Sequence, residues 1–234
     1  MMRISLQVLI VAAGLACSGC GVAIPPAPTG VPVATIKPRL VTEPVRFDTD
    51  DPAIWIDRGD PAKSLVVGTD KETDGALYVF DLKGKIIADK TVRGLARPNN
   101  VDIAYGLKLG GKAVDIAVVT EREKQRLRVF ALPSMESVDK GDLAIFPGDV
   151  TRAPMGVALY TRPSDGAVFA IVGGKSGPAQ GYLGQYRLED DGAGKVKMTL
   201  VRQFGAYSAK KEIESIAVDN ELGYVYYSDE GVGV

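Results

Sequence analysis

The feature that most constrains the fold is a repeat of short apolar runs in fixed order. From Glu43 onward apolar and polar residues alternate with a period of two, in runs of five to eight residues broken by turn signals. No segment carries a sustained helical stripe. A first run recurs as Pro52–Ile56, Val101–Tyr105, Gly156–Tyr160 and Ser215–Val218. A second follows as Leu65–Val67, Val114–Val119, Ala167–Val172 and Tyr224–Tyr227, and a third as Leu77–Phe80, Leu127–Phe130 and Leu183–Tyr186. Just past each second run lies a short punctuation: Thr69-Asp70-Lys71, Thr120-Glu121-Arg122, Gly173-Gly174-Lys175 and Ser228-Asp229-Glu230.

Units of about 40–50 residues with three or four antiparallel strands are the signature of propeller blades. A β-sandwich would explain the alternation, but not the same punctuation at the same point of every unit. The sequence therefore predicts an all-β, β-propeller fold with about three and a half blades over 41–234. Equivalent positions of successive blades are related by rotation about one axis. Lys71, Arg122, Lys175 and Glu230, separated by 51, 53 and 55 residues, are expected around one mouth of the channel. A propeller needs at least four blades, so the chain reads as a truncated one with an unpaired edge.

Two absences narrow the chemistry. There is no histidine, the commonest general base and zinc ligand, and the only cysteines are Cys17 and Cys20. Catalysis would fall to carboxylates, Lys, Arg, Tyr, Ser or Thr, or to a hard metal held by oxygen. A net charge of −1 gives no support for nucleic-acid binding, which wants a basic face. Arg3 followed by the apolar run Ile4–Ala16 reads as an export signal over 1–20, too short to span a bilayer as a mature helix. Small residues before Cys17 and before Cys20 fit a lipoprotein signal, which would anchor the protein without spanning; an ordinary cleaved signal is the plainer reading. Residues 21–40, rich in Pro, Ala, Val and Thr, read as a tether. The protein is thus expected in the periplasm or cell envelope, or secreted.

Four stretches carry a family resemblance: Asp50–Trp55, Gly75–Lys85, Asn99–Ile103 and Glu212–Gly231. Together they resemble the β-propeller phytases, calcium-dependent six-bladed enzymes that release phosphate from inositol hexakisphosphate; the likeness runs from about Thr42 to the last residue. It implies that Asp50 and Asp51 ligate calcium, that Val101 lies close to one of those ions, and that Glu214 and Glu230 are acidic ligands with Asp229 beside them. It also implies that Lys71, Arg122 and Lys175 contact substrate phosphates. Two positions depart from the pattern: Met155 stands where some members have a tyrosine, and Val41 where some have a ligating acid.

Calcium takes six to eight oxygen ligands and suits a chain without His or Cys. The function expected is that of an exported calcium-dependent phytase, a phosphoric monoester hydrolase of the 3-phytase type. It would use metal-activated water on the calcium complex of phytate, and act as a monomer when complete. The alternative is a non-catalytic, lipid-anchored propeller binding module, or an inactive truncated remnant. Plainer roles exist for each residue. Asp50-Asp51-Pro52 would also end a turn, Lys71 and Lys175 could be solvated, Arg122 sits in a mixed-charge loop, and Trp55 suits a blade core.

Overall fold

In the computed structural model, which describes residues 36–234, the alternating runs fold into four antiparallel sheets laid side by side. The leader with Cys17 and Cys20, and the tether up to residue 35, lie outside the described residues. Blade 1 comprises β1 (Thr49–Trp55), β2 (Leu65–Asp70), β3 (Gly75–Phe80) and β4 (Val92–Leu95). Blade 2 holds β5 (Pro98–Leu109), β6 (Lys112–Glu121), β7 (Arg126–Leu132) and β8 (Leu143–Ala144), and blade 3 holds β9 (Pro154–Thr161), β10 (Val168–Gly174), β11 (Gln180–Asp190) and β12 (Val196–Ala206). Blade 4 is the pair β13 (Ile213–Val218) and β14 (Val225–Asp229). Within each sheet the strands are ordered as they occur in the chain, and the first strands β1, β5, β9 and β13 lie against one another as the inner strands. This is the propeller-blade arrangement that the repeat predicts. Among the described residues the blades form an arc, not a closed ring.

Alternation decides which junction each side chain fills. On β6, Ala117 and Val119 pack towards blade 1 with Trp55, Val67, Leu77 and Phe130. Their neighbours Ile116 and Val118 point the other way, into a cluster with Val157, Leu159, Val168 and Val172 of blade 3. A third cluster joins Ile171, Tyr182 and Leu183 to Ile213 of blade 4. Burying a side chain of this size contributes ~1.5–3 kcal/mol relative to exposure, so each junction is a hydrophobic core in its own right. Trp55 is 6% exposed and belongs to the first cluster, its Nε1–H donating to Asp115 Oδ2 at 2.9 Å.

The fourth strands β4, β8 and β12 are additions to what the runs predict. β4 and β8 are only four and two residues long, and most of β12 is exposed, so none carries a clean alternation.

Candidate metal and phosphate site

The inner strands share one irregularity. In blade 1 the pairing passes from Thr49↔Asp70 to Pro52↔Gly68, so Asp50 and Asp51 together face Thr69. The same two-against-one bulge sets Asn99-Asn100 against Thr120, Met155-Gly156 against Gly173, and Glu214-Ser215 against Ser228. A bulge frees two residues from the ladder and re-aims their side chains. Repeated in four blades, it delivers four residue pairs to neighbouring places along the inner edge.

Hydroxyls stitch the first two junctions at this level. Thr69 Oγ1 accepts from the Asp51 N–H (3.0 Å) and donates to the Asn99 carbonyl (2.9 Å). Thr120 Oγ1 accepts from the Asn100 N–H (3.0 Å) and donates to the Met155 carbonyl (2.8 Å). At the third junction both positions are glycine. A Cβ on Gly156 would stand 1.9 Å from the Glu214 carbonyl oxygen, and one on Gly173 would stand 2.6 Å from that of Ile213. Blade 4 therefore seats directly on the backbone of blade 3. Glu214 can then reach past blade 3, and its Oε1 accepts from Asn99 Nδ2 of blade 2 at 2.5 Å.

Beside these bulges is a cavity of about 290 Å³ lined by Asp50, Asp51, Asn100, Glu214, Ser215, Ser228 and Glu230. Asp50 is held through one oxygen by Lys71 Nζ, while its Oδ2 is buried with no hydrogen-bond partner. Asn99 Oδ1 is likewise buried and unpartnered. Asp51 Oδ2 accepts from the Val101 N–H at 2.9 Å. Burial pushes the Asp51 carboxyl up to about 6 against that hydrogen bond, and the charge of Asp50 adds to the rise. Val101 touches the site through its backbone alone, since its side chain lies in the blade 1–2 core.

Asp229 is the exception among the acidic residues singled out from the sequence. It is buried, and its oxygens accept from the Ser208 N–H (2.6 Å) and Oγ–H (2.8 Å). It braces that turn away from the cavity, which it does not line, whereas Glu230 does. Successive residues at a strand end face opposite ways, which is why only one of the two reaches the site.

The three basic residues form an arc beyond the carboxylates. Burial works to lower the Lys71 ammonium, but the Asp50 hydrogen bond and charge raise it overall, with Glu214 contributing. Lys175 Nζ pairs with Glu212 Oε1 at 2.5 Å, and that hydrogen bond holds the Glu212 carboxyl below its usual range. Arg122 opens a short 3-10 turn. Burial, then the neighbouring charge of Arg97, pulls its guanidinium down, with Glu212 and Glu214 opposing. Its loop neighbours are engaged elsewhere: Glu121 with Arg126, and Glu123 with the Thr73 hydroxyl at 2.9 Å. The charge of Glu214 thus acts on both Lys71 and Arg122, and that of Glu212 on Arg122 while it pairs with Lys175. Of the two departures from the family pattern, Met155 is buried with its carbonyl on Thr120, and Val41 is exposed.

Asn100 in the cavity lining, Asn99 on Glu214, Glu212 on Lys175 and Arg97 near Arg122 are not among the site residues that the sequence points to. The asparagines were legible as the blade 2 equivalents of Asp50-Asp51, had the bulge been known.

Hard oxygen donors with two buried oxygens unpartnered fit a calcium-sized cation. Among the described residues, however, no three carboxylates stand close enough together to hold a metal ion by themselves. Amide, hydroxyl and water oxygens would have to complete the shell.

Two comparisons bear on this arrangement. Residues 22–234 match the family described as Phytase. A 3-phytase of Bacillus subtilis (strain 168) is 34% identical over 189 residues, which cover 77% of this chain and 45% of the relative. The chain thus spans less than half the length of that relative.

Proposed function

This chain belongs to the phytase family, and from that membership we propose that the cavity holds calcium and that the basic arc holds phosphate groups of inositol hexakisphosphate during hydrolysis of one of its monoesters. The observation that carries the reading is the buried, unpartnered Oδ2 of Asp50 in a cavity lined by carboxylates, with the Lys71 ammonium on its other oxygen. A buried acceptor oxygen left without a partner costs about 1–3 kcal/mol, and a cation or donor arriving at that oxygen would recover it. Asp50, Asp51, Glu214 and Glu230 would hold the metal, with the amide oxygens of Asn99 and Asn100 in reach of the same wall. Calcium bound there would neutralise charge on a phosphoryl oxygen and acidify a water for attack.

The chain's own residues do the holding. Lys71 and Lys175 each rest on a carboxylate and exchange it for a substrate phosphate, while Arg122 offers a guanidinium fork for two parallel hydrogen bonds. The chain has no histidine, so none takes part in orienting the substrate. We place the activity outside the cytoplasm on the strength of the leader over 1–20, with anchoring through a lipid at Cys17 or Cys20. Mass spectrometry of the mature N-terminus tests both.

The protein is expected to release phosphate from inositol hexakisphosphate only with calcium present, and to stop on adding a chelator. Turnover unaffected by the chelator would overturn the calcium reading. A second reading, a binding module without catalysis, draws on the lack among the described residues of three converging carboxylates. Calcium titration followed by calorimetry separates the two, since a module of that kind shows no saturable calcium heat.

A further inference from the structure

The four cations near the mouth are not alike. Lys71 and Lys175 are taken up by Asp50 and Glu212. None of the ion pairs among the described residues includes Arg122 or Arg97. Both arginines line one open cavity of about 560 Å³ with Glu123, Gln125, Val150 and Ala153, apart from the carboxylate cavity. Glu123 is held by the Thr73 hydroxyl, and Gln125 Nε2 donates to the Asp149 carbonyl at 2.8 Å.

Arg97 reaches this cavity from an uncommon backbone. Its φ is +58°, a left-handed conformation in which a side chain with a Cβ is disfavoured. Backbone hydrogen bonds fix it there. Its N–H is shared between the Glu72 carbonyl at 2.9 Å and the Leu95 carbonyl at 3.0 Å, and its carbonyl accepts from the Arg122 N–H at 3.1 Å. One residue earlier, the Ala96 carbonyl accepts from the Glu123 N–H at 3.2 Å. The strained residue is thus tied to the turn that carries Arg122. Arg97 Nε is buried with no partner. Two guanidinium groups facing one cavity repel each other, and a buried donor is left unmade. A tetrahedral dianion in that cavity would offset the repulsion, and its several oxygens can accept from both guanidinium groups.

We propose that Arg97 and Arg122 together form one phosphate-binding site, in which Arg97 is a second grip on the phosphate group that Arg122 holds. The proposal rests on the phytase reading for the identity of the natural ligand, a phosphate monoester, but the anion site itself does not need calcium or catalysis.

The probe is inorganic phosphate, titrated calorimetrically into the intact protein in chelator near pH 7. Arg97→Gln is expected to weaken binding roughly tenfold or more, as is Arg122→Gln, because each removes a charged hydrogen bond. The double variant should bind phosphate far more weakly than either single one, since no grip on the group is left. Arg97→Lys should fall between wild type and Arg97→Gln, keeping the charge without the fork. Phosphate affinity of Arg97→Gln within twofold of wild type overturns the proposal, and so does a wild-type protein that binds no phosphate. If Arg97→Gln fails to fold, phenylglyoxal labelling of the wild-type protein reads the same contact. Phosphate should protect Arg97, and unprotected labelling overturns the proposal.

Hydrolysis of inositol hexakisphosphate with calcium keeps the two readings apart. Phosphate binding that depends on Arg97 in a protein without turnover defeats the phytase reading and leaves the arginine pair standing. Turnover with no effect of Arg97→Gln on KM or on phosphate affinity does the reverse.

Discussion

The junctions between blades 1 and 2 and between blades 2 and 3 are made at the bulge level by a threonine hydroxyl, whereas the junction between blades 3 and 4 is made by glycine. In the first kind a hydroxyl keeps the inner strands one side chain apart and satisfies a donor and an acceptor. In the second the backbones touch, and no side chain occupies the Gly156 position. The difference determines where charge goes. Because blade 3 contributes no group there, Glu214 spans from blade 4 to Asn99 of blade 2, and the blade 1 and blade 4 carboxylates come to line one cavity. A threonine-like stitch at the third junction would separate the acidic wall into two.

The strongest test of this contrast is Gly156→Ala. A methyl 1.9 Å from the Glu214 carbonyl oxygen forces backbone to move, and a loss of ~3 kcal/mol or more is expected by chemical denaturation. Calcium affinity should fall with it, because Glu214 is displaced from the cavity. Gly173→Ser would install the hydroxyl of the other junctions where there is no room for it, with the Cβ 2.6 Å from the Ile213 carbonyl oxygen. A cost of ~2 kcal/mol is expected, and a neutral result would show that blade 4 can move outward freely. Thr120→Val keeps the shape and removes the stitch, leaving the Asn100 N–H and the Met155 carbonyl without it. The midpoint of unfolding should drop by the equivalent of ~1–3 kcal/mol. Thr69→Ser keeps the hydroxyl and trims one methyl, so its effect should be smallest, below ~1.5 kcal/mol. If Thr69→Ser cost as much as Thr120→Val, packing and not the hydrogen bonds would be holding these junctions.

Much of the scaffold was legible because the period of two repeats in register. The second and third strands of each full blade are buried on both faces between neighbouring blades, so they read as short, nearly continuous apolar runs that recur in fixed order between turn signals. β4, β8 and β12 escaped since outer strands are short or exposed and need no such pattern. The charged ends of the second strands were legible because they recur at the same point of each unit; of them Glu230 lines the carboxylate cavity and Lys71 pairs with Asp50 of its lining. The acidic wall was visible only through likeness to a family, because Asp50, Asp51 and Glu214 are brought together by bulges that no local pattern announces. Asp229 and Glu230 look equivalent in sequence, yet one braces Ser208 and the other lines the cavity. Arg97 was hidden altogether. Its role depends on a single left-handed residue tied by hydrogen bonds to Glu72 and to the turn carrying Arg122.

The repeated bulge also has an evolutionary reading. A residue excused from ladder pairing can be exchanged with little damage to the sheet beneath it, so each blade offers a two-letter slot whose contents are open to selection. Asp-Asp, Asn-Asn, Met-Gly and Glu-Ser already fill the same slot in four neighbouring copies of one scaffold. Chemistry in such a molecule can drift slot by slot while the architecture stands still, and only the glycine slot, locked by its neighbour's backbone, resists the exchange.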